Sequence, residues 1–338
     1  MKINSLKKLA SIIITLIVAS SLTFSGQIKL VQAQELPEQN DQESTAPLSL
    51  AVSPPTSYLY VKPSDEIKHT ITLKNTGTQT LEVKMQLTDF KPDGKTGRPL
   101  LSSGTIFDKA VNPNLEFGQP FQIKPQENRT VTLALDASKL AKEKEYPLSI
   151  LFNAQSVRDE TNQASFSQVS GTVVSNLIVF ISNQEENQGE LIIEKFKAPR
   201  IIDSFQPIHF SLLAKNKGLN AMPVQGRALV KNFLGQTINE FIFYPDQILA
   251  DSTRQVRGTE LRAELLDKDN QLIPDKIENL STEFKHQTPI LFGPYRVEAQ
   301  LDQDQASTYV IALPFSFIAA GLIGFLIWTG YQQLKKKM

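Results

Sequence analysis

Ile67-Lys-His-Thr-Ile-Thr-Leu-Lys-Asn-Thr-Gly77 decides the reading of this chain, and a relative of it returns 141 residues later as Ile208-His-Phe-Ser-Leu-Leu-Ala-Lys-Asn-Lys-Gly218. In the first copy Ile67, His69, Ile71 and Leu73 interleave with Lys68, Thr70, Thr72 and Lys74. Apolar residues at period two describe a strand with one buried and one wet face. Leu81, Val83, Met85 and Leu87 repeat the pattern, as do Val131, Leu133 and Leu135. Turn residues lie between the runs: Asn75-Thr-Gly77, Pro92-Asp-Gly94 and Asn112-Pro-Asn114. Short alternating strands with frequent turns indicate two packed antiparallel sheets. The shared Lys-Asn-x-Gly predicts two related modules, each with a hairpin near its start whose turn, at Gly77 and Gly218, needs positive φ.

Working outward, Thr172 to Ile181 is almost wholly apolar or β-branched. A strand covered on both faces, or one shared with a neighbour, reads this way. The polar break 183–189 then separates a first β-sandwich at 48–183 from a second at 188–304. Within the second, 260–284 is charged and settles on neither period, so it reads as an insertion. Residues 34–47 are polar, acidic and Pro-containing, and read as a disordered lead-in.

The two ends carry targeting signals. Lys2, Lys7 and Lys8 precede a short uncharged apolar run from Leu9 to Ala19, and Val31-Gln-Ala33 suits a signal peptidase. Residues 1–33 are therefore expected to be a signal peptide, with Gly26 as a weaker cleavage site. At the other end no charged side chain occurs between Gln305 and Leu334. Residues 309–331 read as one transmembrane helix of roughly 34 Å. The basic tail 332–338, with Lys335, Lys336 and Lys337, is placed on the cytoplasmic side. The expected location is the cell membrane, single-pass, with the N-terminus outside.

Composition narrows the function. The 338 residues hold 35 basic and 35 acidic side chains, and without signal and tail 28 basic remain against 35 acidic. A net charge near −7 argues against nucleic acid as partner. There is no cysteine, so disulfides, thiolate metal sites and lipid attachment through cysteine are excluded. His69, His209 and His286 lie too far apart in the chain for ligand spacing. Asp89-x-x-x-Asp93-Gly94-x-x-Gly97 lacks the alternating oxygen ligands of a calcium loop and reads as a hairpin turn. Asn128-Arg-Thr130 and Asn279-Leu-Ser281 match the glycan acceptor pattern, which chance often supplies. No nucleophile elbow, phosphate loop or dinucleotide fingerprint is present. No catalytic, metal or cofactor-binding residue is expected, and no cofactor.

With signal, repeated strand–Asn-x-Gly unit and terminal helix placed, the layout resembles the WxL-interacting proteins of Gram-positive bacteria. The pieces that carry the likeness are Leu73-Lys-Asn-Thr-Gly77, Leu291-Phe-Gly-Pro-Tyr-Arg-Val297 and the basic tail. The resemblance implies two tandem immunoglobulin-like β-sandwich domains before a single transmembrane helix, in an all-β protein of the bacterial cell surface. It also implies a surface protein or cell-wall polymer as partner. The expectation is a membrane-anchored, non-catalytic binding or structural protein of the envelope. The alternative is a chaperone-like assembly factor for secreted surface proteins acting by strand addition.

Overall fold

The computed structural model describes residues 49–337 apart from 64, 106–109, 112–116, 137–142, 158–169, 184–188, 266–276 and 278. The expected signal peptide and lead-in lie outside the described residues. The first module comprises β1 (Leu50–Ser53), β2 (Thr56–Val61), β3 (Glu66–Asn75), β4 (Leu81–Pro92), β5 (Pro99–Leu101), β6 (Ala110–Val111), β7 (Pro120–Ile123), β8 (Asn128–Asp136), β9 (Lys144–Ser156) and β10 (Ser170–Ile181). The second comprises β11 (Leu191–Lys197), β12 (Ile201–Asp203), β13 (Ile208–Asn216), β14 (Met222–Pro223), β15 (Gly226–Lys231), β16 (Thr237–Phe243), β17 (Gln247–Ile248), β18 (Thr253–Gln255), β19 (Gly258–Glu260), β20 (Phe284–His286), β21 (Gly293–Leu301) and β22 (Asp304–Leu313). A single long helix, α1 (Phe315–Lys337), follows.

The period-two runs become strands as their patterns require. Ile67, His69, Ile71 and Leu73 of β3 are buried, while Lys68, Thr70 and Lys74 are exposed. Ile67, Ile71 and Leu73, beside Val131, Leu133 and Leu135 of β8, share one core with Leu81, Val83 and Met85 of β4. One sheet has the order β1-β3-β8-β6 and the other β2-β10-β9-β4-β5, with β7 also on β4. In the second module β11-β13-β18, extended by β20, opposes β12-β22-β21-β15-β16-β19. A separate core there gathers Phe210, Phe241, Phe243 and Phe284 among Ile, Leu and Val. Both orders are those of an immunoglobulin-like sandwich without its disulfide.

The first strand is divided in each module. β1 pairs antiparallel with β3, the chain crosses to the other sheet at Ser53 and Pro54 (a cis peptide bond), and β2 pairs parallel with β10. Likewise β11 pairs antiparallel with β13 and β12 parallel with β22. This shared crossing supports the two-module repeat beyond the short sequence matches.

The Asn-x-Gly segments are not hairpin turns. β3 and β4 belong to opposite sheets, so the segment between them bridges the sandwich. Neither Gly77 nor Gly218 is among the positive-φ glycines. The side chain that matters is the asparagine. Asn75 is fully buried; its Nδ2 donates to the carbonyls of Gln79 (2.7 Å) and Ile123 (3.1 Å), and its Oδ1 accepts the Gly77 N–H (3.0 Å). Asn216 repeats this with Asn220 (2.7 Å), Ile248 (2.9 Å) and the Gly218 N–H (2.8 Å). Glycine suits position 77 through close approach, because a Cβ there would lie 3.3 Å from Asn75 Oδ1.

The C-terminal boundary also differs from expectation. Residues 309–313 are the end of strand β22, and the helix starts at Phe315. Val310 and Ala312 point into the core while Tyr309, Ile311 and Leu313 point outward, so an apolar strand was read as the start of a helix. Phe315–Lys336 is long and apolar enough to cross a membrane. Its uncharged part, 315–334, spans about 30 Å at 1.5 Å per residue.

Asn75→Ala and Asn216→Ala should each remove two buried carbonyl bonds and orphan one N–H, costing about 2–4 kcal/mol. Urea unfolding of the chain checks this. Gly77→Ala, which meets no positive-φ strain, should cost about 1 kcal/mol or less by the same measurement.

Candidate functional site

The candidate site is an uncovered backbone edge beside a closed seam between the modules. β10 pairs with β9 along its whole length, Ser170 opposite Gln155 through Ile181 opposite Lys144. β2 covers its other side only from Asn176 to Ile181. The Asn176 N–H donates to the Pro55 carbonyl (2.9 Å) and the Ser182 N–H to that of Val61 (3.0 Å), which shows that even-numbered residues point their backbone groups to this side. The backbone alternates along a strand. Ser170, Thr172 and Val174 therefore present N–H and C=O groups outward, and among the described residues no strand takes them. The edge exists because β1 stays with the opposite sheet until Ser53 and cannot serve β10 there.

β22 has a counterpart edge, since β12 covers only Ile311–Leu313. It is partly closed, because Asp304 Oδ2 accepts the Ile193 N–H of β11 (2.7 Å). A groove of about 570 Å³ lies beside it, lined by Lys197, Arg200, His209, Glu283 and Thr308 among others.

The seam explains why the segment from Thr172 to Ile181 is apolar on both faces. Leu177, Val179 and Ile181 enter the first core, while Ile178 packs outward with Phe90 against Ala221 and Leu249 of the second module. Polar groups fix the contact around them. Glu145, only 8% exposed, accepts the N–H groups of Ala221 (2.5 Å) and Ala250 (2.9 Å). Asn220 Nδ2 donates to the Tyr60 hydroxyl (2.9 Å), and the Tyr60 ring meets Phe180 edge-on.

The Asp93 loop is a hairpin turn, as its sequence suggests, joining β4 to β5. The Thr96 hydroxyl donates to Asp93 Oδ2 and Oδ1 accepts the N–H groups of Lys95, Thr96 and Gly97; these bonds, the hydroxyl's first, hold the carboxyl well below the usual range. The loop then docks on the second module. The Gly94 carbonyl accepts the Thr253 hydroxyl (2.6 Å), and the Lys95 carbonyl accepts the Gln255 N–H (2.8 Å). At Gly97 (φ +76°) a Cβ would lie 2.7 Å from the Arg254 guanidinium, so that glycine admits the arginine. Arg254 and Arg257 both bind the buried Asp246 (2.9 and 2.6 Å).

Burial pushes Glu145 up to about 7, against the opposing pull of its two backbone bonds. Tyr58 beside it is pushed up to about 12, chiefly by burial and then by the Glu145 carboxylate. Neither residue stands out in the sequence, because the partners of Glu145 lie 76 and 105 residues away.

The three histidines are separate. His69 and His286 are buried, each with Nε2 unpartnered and each held below the usual range by burial, while His209 is exposed. His69 and His209 are one register apart in the repeat, and hence on opposite strand faces, because His69 aligns with Phe210. Among the described residues no three His, Asp or Glu side chains cluster for a metal.

No family model matches the chain, and no curated protein matches it. Among solved structures it is similar to the class 5 fimbriae chaperone CfaA, with 12% identity over 78% of this chain and 100% of that one and a TM-score of 0.39. It is similar also to the YadV chaperone (13%, 78% and 100%, TM-score 0.38). A third is the CsuC–CsuE chaperone–tip adhesion subunit pre-assembly complex of Acinetobacter baumannii Csu pili (14%, 67% and 97%, TM-score 0.33). Names at such identities and scores carry no argument for the function of this chain.

The seam should respond to pH. A carboxyl at about 7 when buried and near 4.5 when free binds its proton more tightly in the closed state. The resulting stabilisation is fully present below pH 4.5 and is lost as pH rises through 7, by roughly 3 kcal/mol in all. Urea midpoints measured from pH 4.5 to 8 should fall for the native chain and stay flatter for Glu145→Gln.

Proposed function

We propose that this chain is a non-catalytic, membrane-tethered protein of the bacterial envelope that holds a protein partner by adding the partner's strand to the open edge of β10. The single observation behind this reading is the row of outward N–H and C=O groups at Ser170, Thr172 and Val174. Such a row templates an extended segment, with affinity from main-chain bonds and selectivity from alternate side chains. Val173 is half-buried at the margin of the first core, and Gly171, two residues before it on the same strand face, carries no side chain. An added strand would continue the line of β2 and could set one apolar side chain over that margin. The partner class is therefore an exported protein with an unpaired β-segment, and the activity is that of an assembly factor rather than a passive adhesin.

The helix α1 supplies the tether in this reading, with residues 49–313 outside the membrane and the terminal lysines inside. The resemblance to WxL-interacting proteins supports a surface location. A wall-polymer partner, which that resemblance also implies, is favoured only by the groove at Lys197, Arg200 and His209.

Proline distinguishes the edge from the ladder. Thr172→Pro and Val174→Pro remove outward N–H groups and leave the β9 pairing in place, as edge positions allow. Each should keep the melting temperature of the chain close to native, and the double variant should weaken partner capture by about tenfold or more. Val173→Pro removes a bond to β9 and should destabilise the first module. Capture of envelope proteins on immobilised chain, native against double variant, checks the proposal. Equal capture by both would move the site away from β10.

A further inference from the structure

We infer that the loop tips at the helix end of the second module form an apolar seat that enters the lipid interface around α1. This rests on the reading of α1 as a membrane helix. Register brings three loops to that end. β22 runs down to Leu313 and α1 begins at Phe315. β12 lies parallel to β22 with Asp203 opposite Leu313, so the turn that follows carries Phe205 to the same level. β21 starts at Gly293 opposite Ala312, so Ile290 and Phe292 arrive there just before it. β15 reaches Lys231 opposite Arg296, and three residues on its hairpin carries Phe233 and Leu234 to the level of Gly293.

These tips are unlike ordinary turns. Phe233 and Phe292 are each 69% exposed, Leu234 66%, Ile290 55% and Phe205 46%. At the opposite end of the same sheet, the turn between β21 and β22 is Asp302-Gln303. Five large apolar side chains in three separate loops, all at the end from which an apolar helix leaves, point to one solvent for both. Phenyl rings there lie at the depth where aromatic side chains favour the headgroup boundary.

The seat is fixed to the helix. Asp203 Oδ2 accepts the Ser316 N–H in the first turn of α1 (2.8 Å), and its Oδ1 accepts the Phe205 N–H (3.0 Å). A carboxylate at that position also complements the helix N-terminus. The Ser204 N–H donates to the Leu313 carbonyl (3.0 Å), and the Leu291 N–H donates to the Ser204 carbonyl (2.8 Å). Phe205 and Phe317 meet with ring centroids 5.0 Å apart. Two of the three loops are thus tied to the helix start, and no free linker separates the module from the bilayer.

The test uses the full chain in phosphatidylcholine vesicles carrying a nitroxide quencher on the acyl chain. Trp328 is the single tryptophan and lies on α1, so in the unaltered chain its quenching reports helix insertion. Phe233→Trp, Phe292→Trp and Leu219→Trp are each placed in a Trp328→Phe background. Leu219 is an exposed control at the far end of β13, about 30 Å from the helix end. Loss of about half the emission is expected at 233 and 292, where a ring lies at headgroup level, with none at 219. A quenched Trp328 with unquenched 233 and 292 overturns the seat and leaves the patch to another occupant, such as a second copy of the chain. Quenching at 219 as well means the module lies flat, which also overturns it. An unquenched Trp328 removes the membrane reading itself, and the seat with it.

Discussion

One strand cannot pair with two sheets at the same height, and much of this molecule follows from that limit. The first strand of each module begins on one sheet and finishes on the other, through Pro54 in the first module and Ala198–Arg200 in the second. Among the described residues, each last strand is therefore covered along only part of its length. In the first module the uncovered part is the row at Ser170, Thr172 and Val174. In the second, the covered part is the end at Leu313, where β12 holds the strand just before it becomes a helix and Asp203 caps that helix. A single topological device leaves a backbone edge in one module and stiffens the helix junction in the other.

The seam gives that arrangement direction. Glu145, Tyr60 and the Asp93 loop close the first module on the end of the second that lies away from α1. Among the described residues no cationic side chain pairs with Glu145, so its burial carries a desolvation cost, which the two backbone N–H groups only partly offset. The apolar contact of Phe90, Ile178, Ala221 and Leu249 works against that cost. This balance is why the seam is expected to respond to proton concentration. Separate cores with a shared polar seam are also consistent with two copies of one module that later specialised.

Much of this fold is legible in the sequence, for a physical reason. Ile67–Leu73 and Leu81–Met85 alternate because one side of each strand meets a core and the other meets water. Where both sides are dry, the signal fails or changes meaning. Thr172–Ile181 reads as doubly covered, but nothing local tells that the second cover is the other module. Tyr309–Leu313 lacks charged outward residues and merges with the helix that follows it. Asn75 and Asn216 read as turn residues because asparagine is common in turns, whereas their work is to satisfy carbonyls from distant segments. Glu145 gives no local signal at all. The open edge is the hardest feature to read, because it depends on which sheet each half of the first strand joins.

Amide hydrogen exchange on the free chain tests the central claim most directly. Buried ladder amides exchange only when the structure opens, while outward edge amides exchange without opening. Fast exchange is expected at Ser170, Thr172 and Val174, with Val173, Ser175, Asn176 and Ile178 protected. Protection of Thr172 and Val174 as strong as that of Asn176 would mean the edge is already occupied, and would contradict the account.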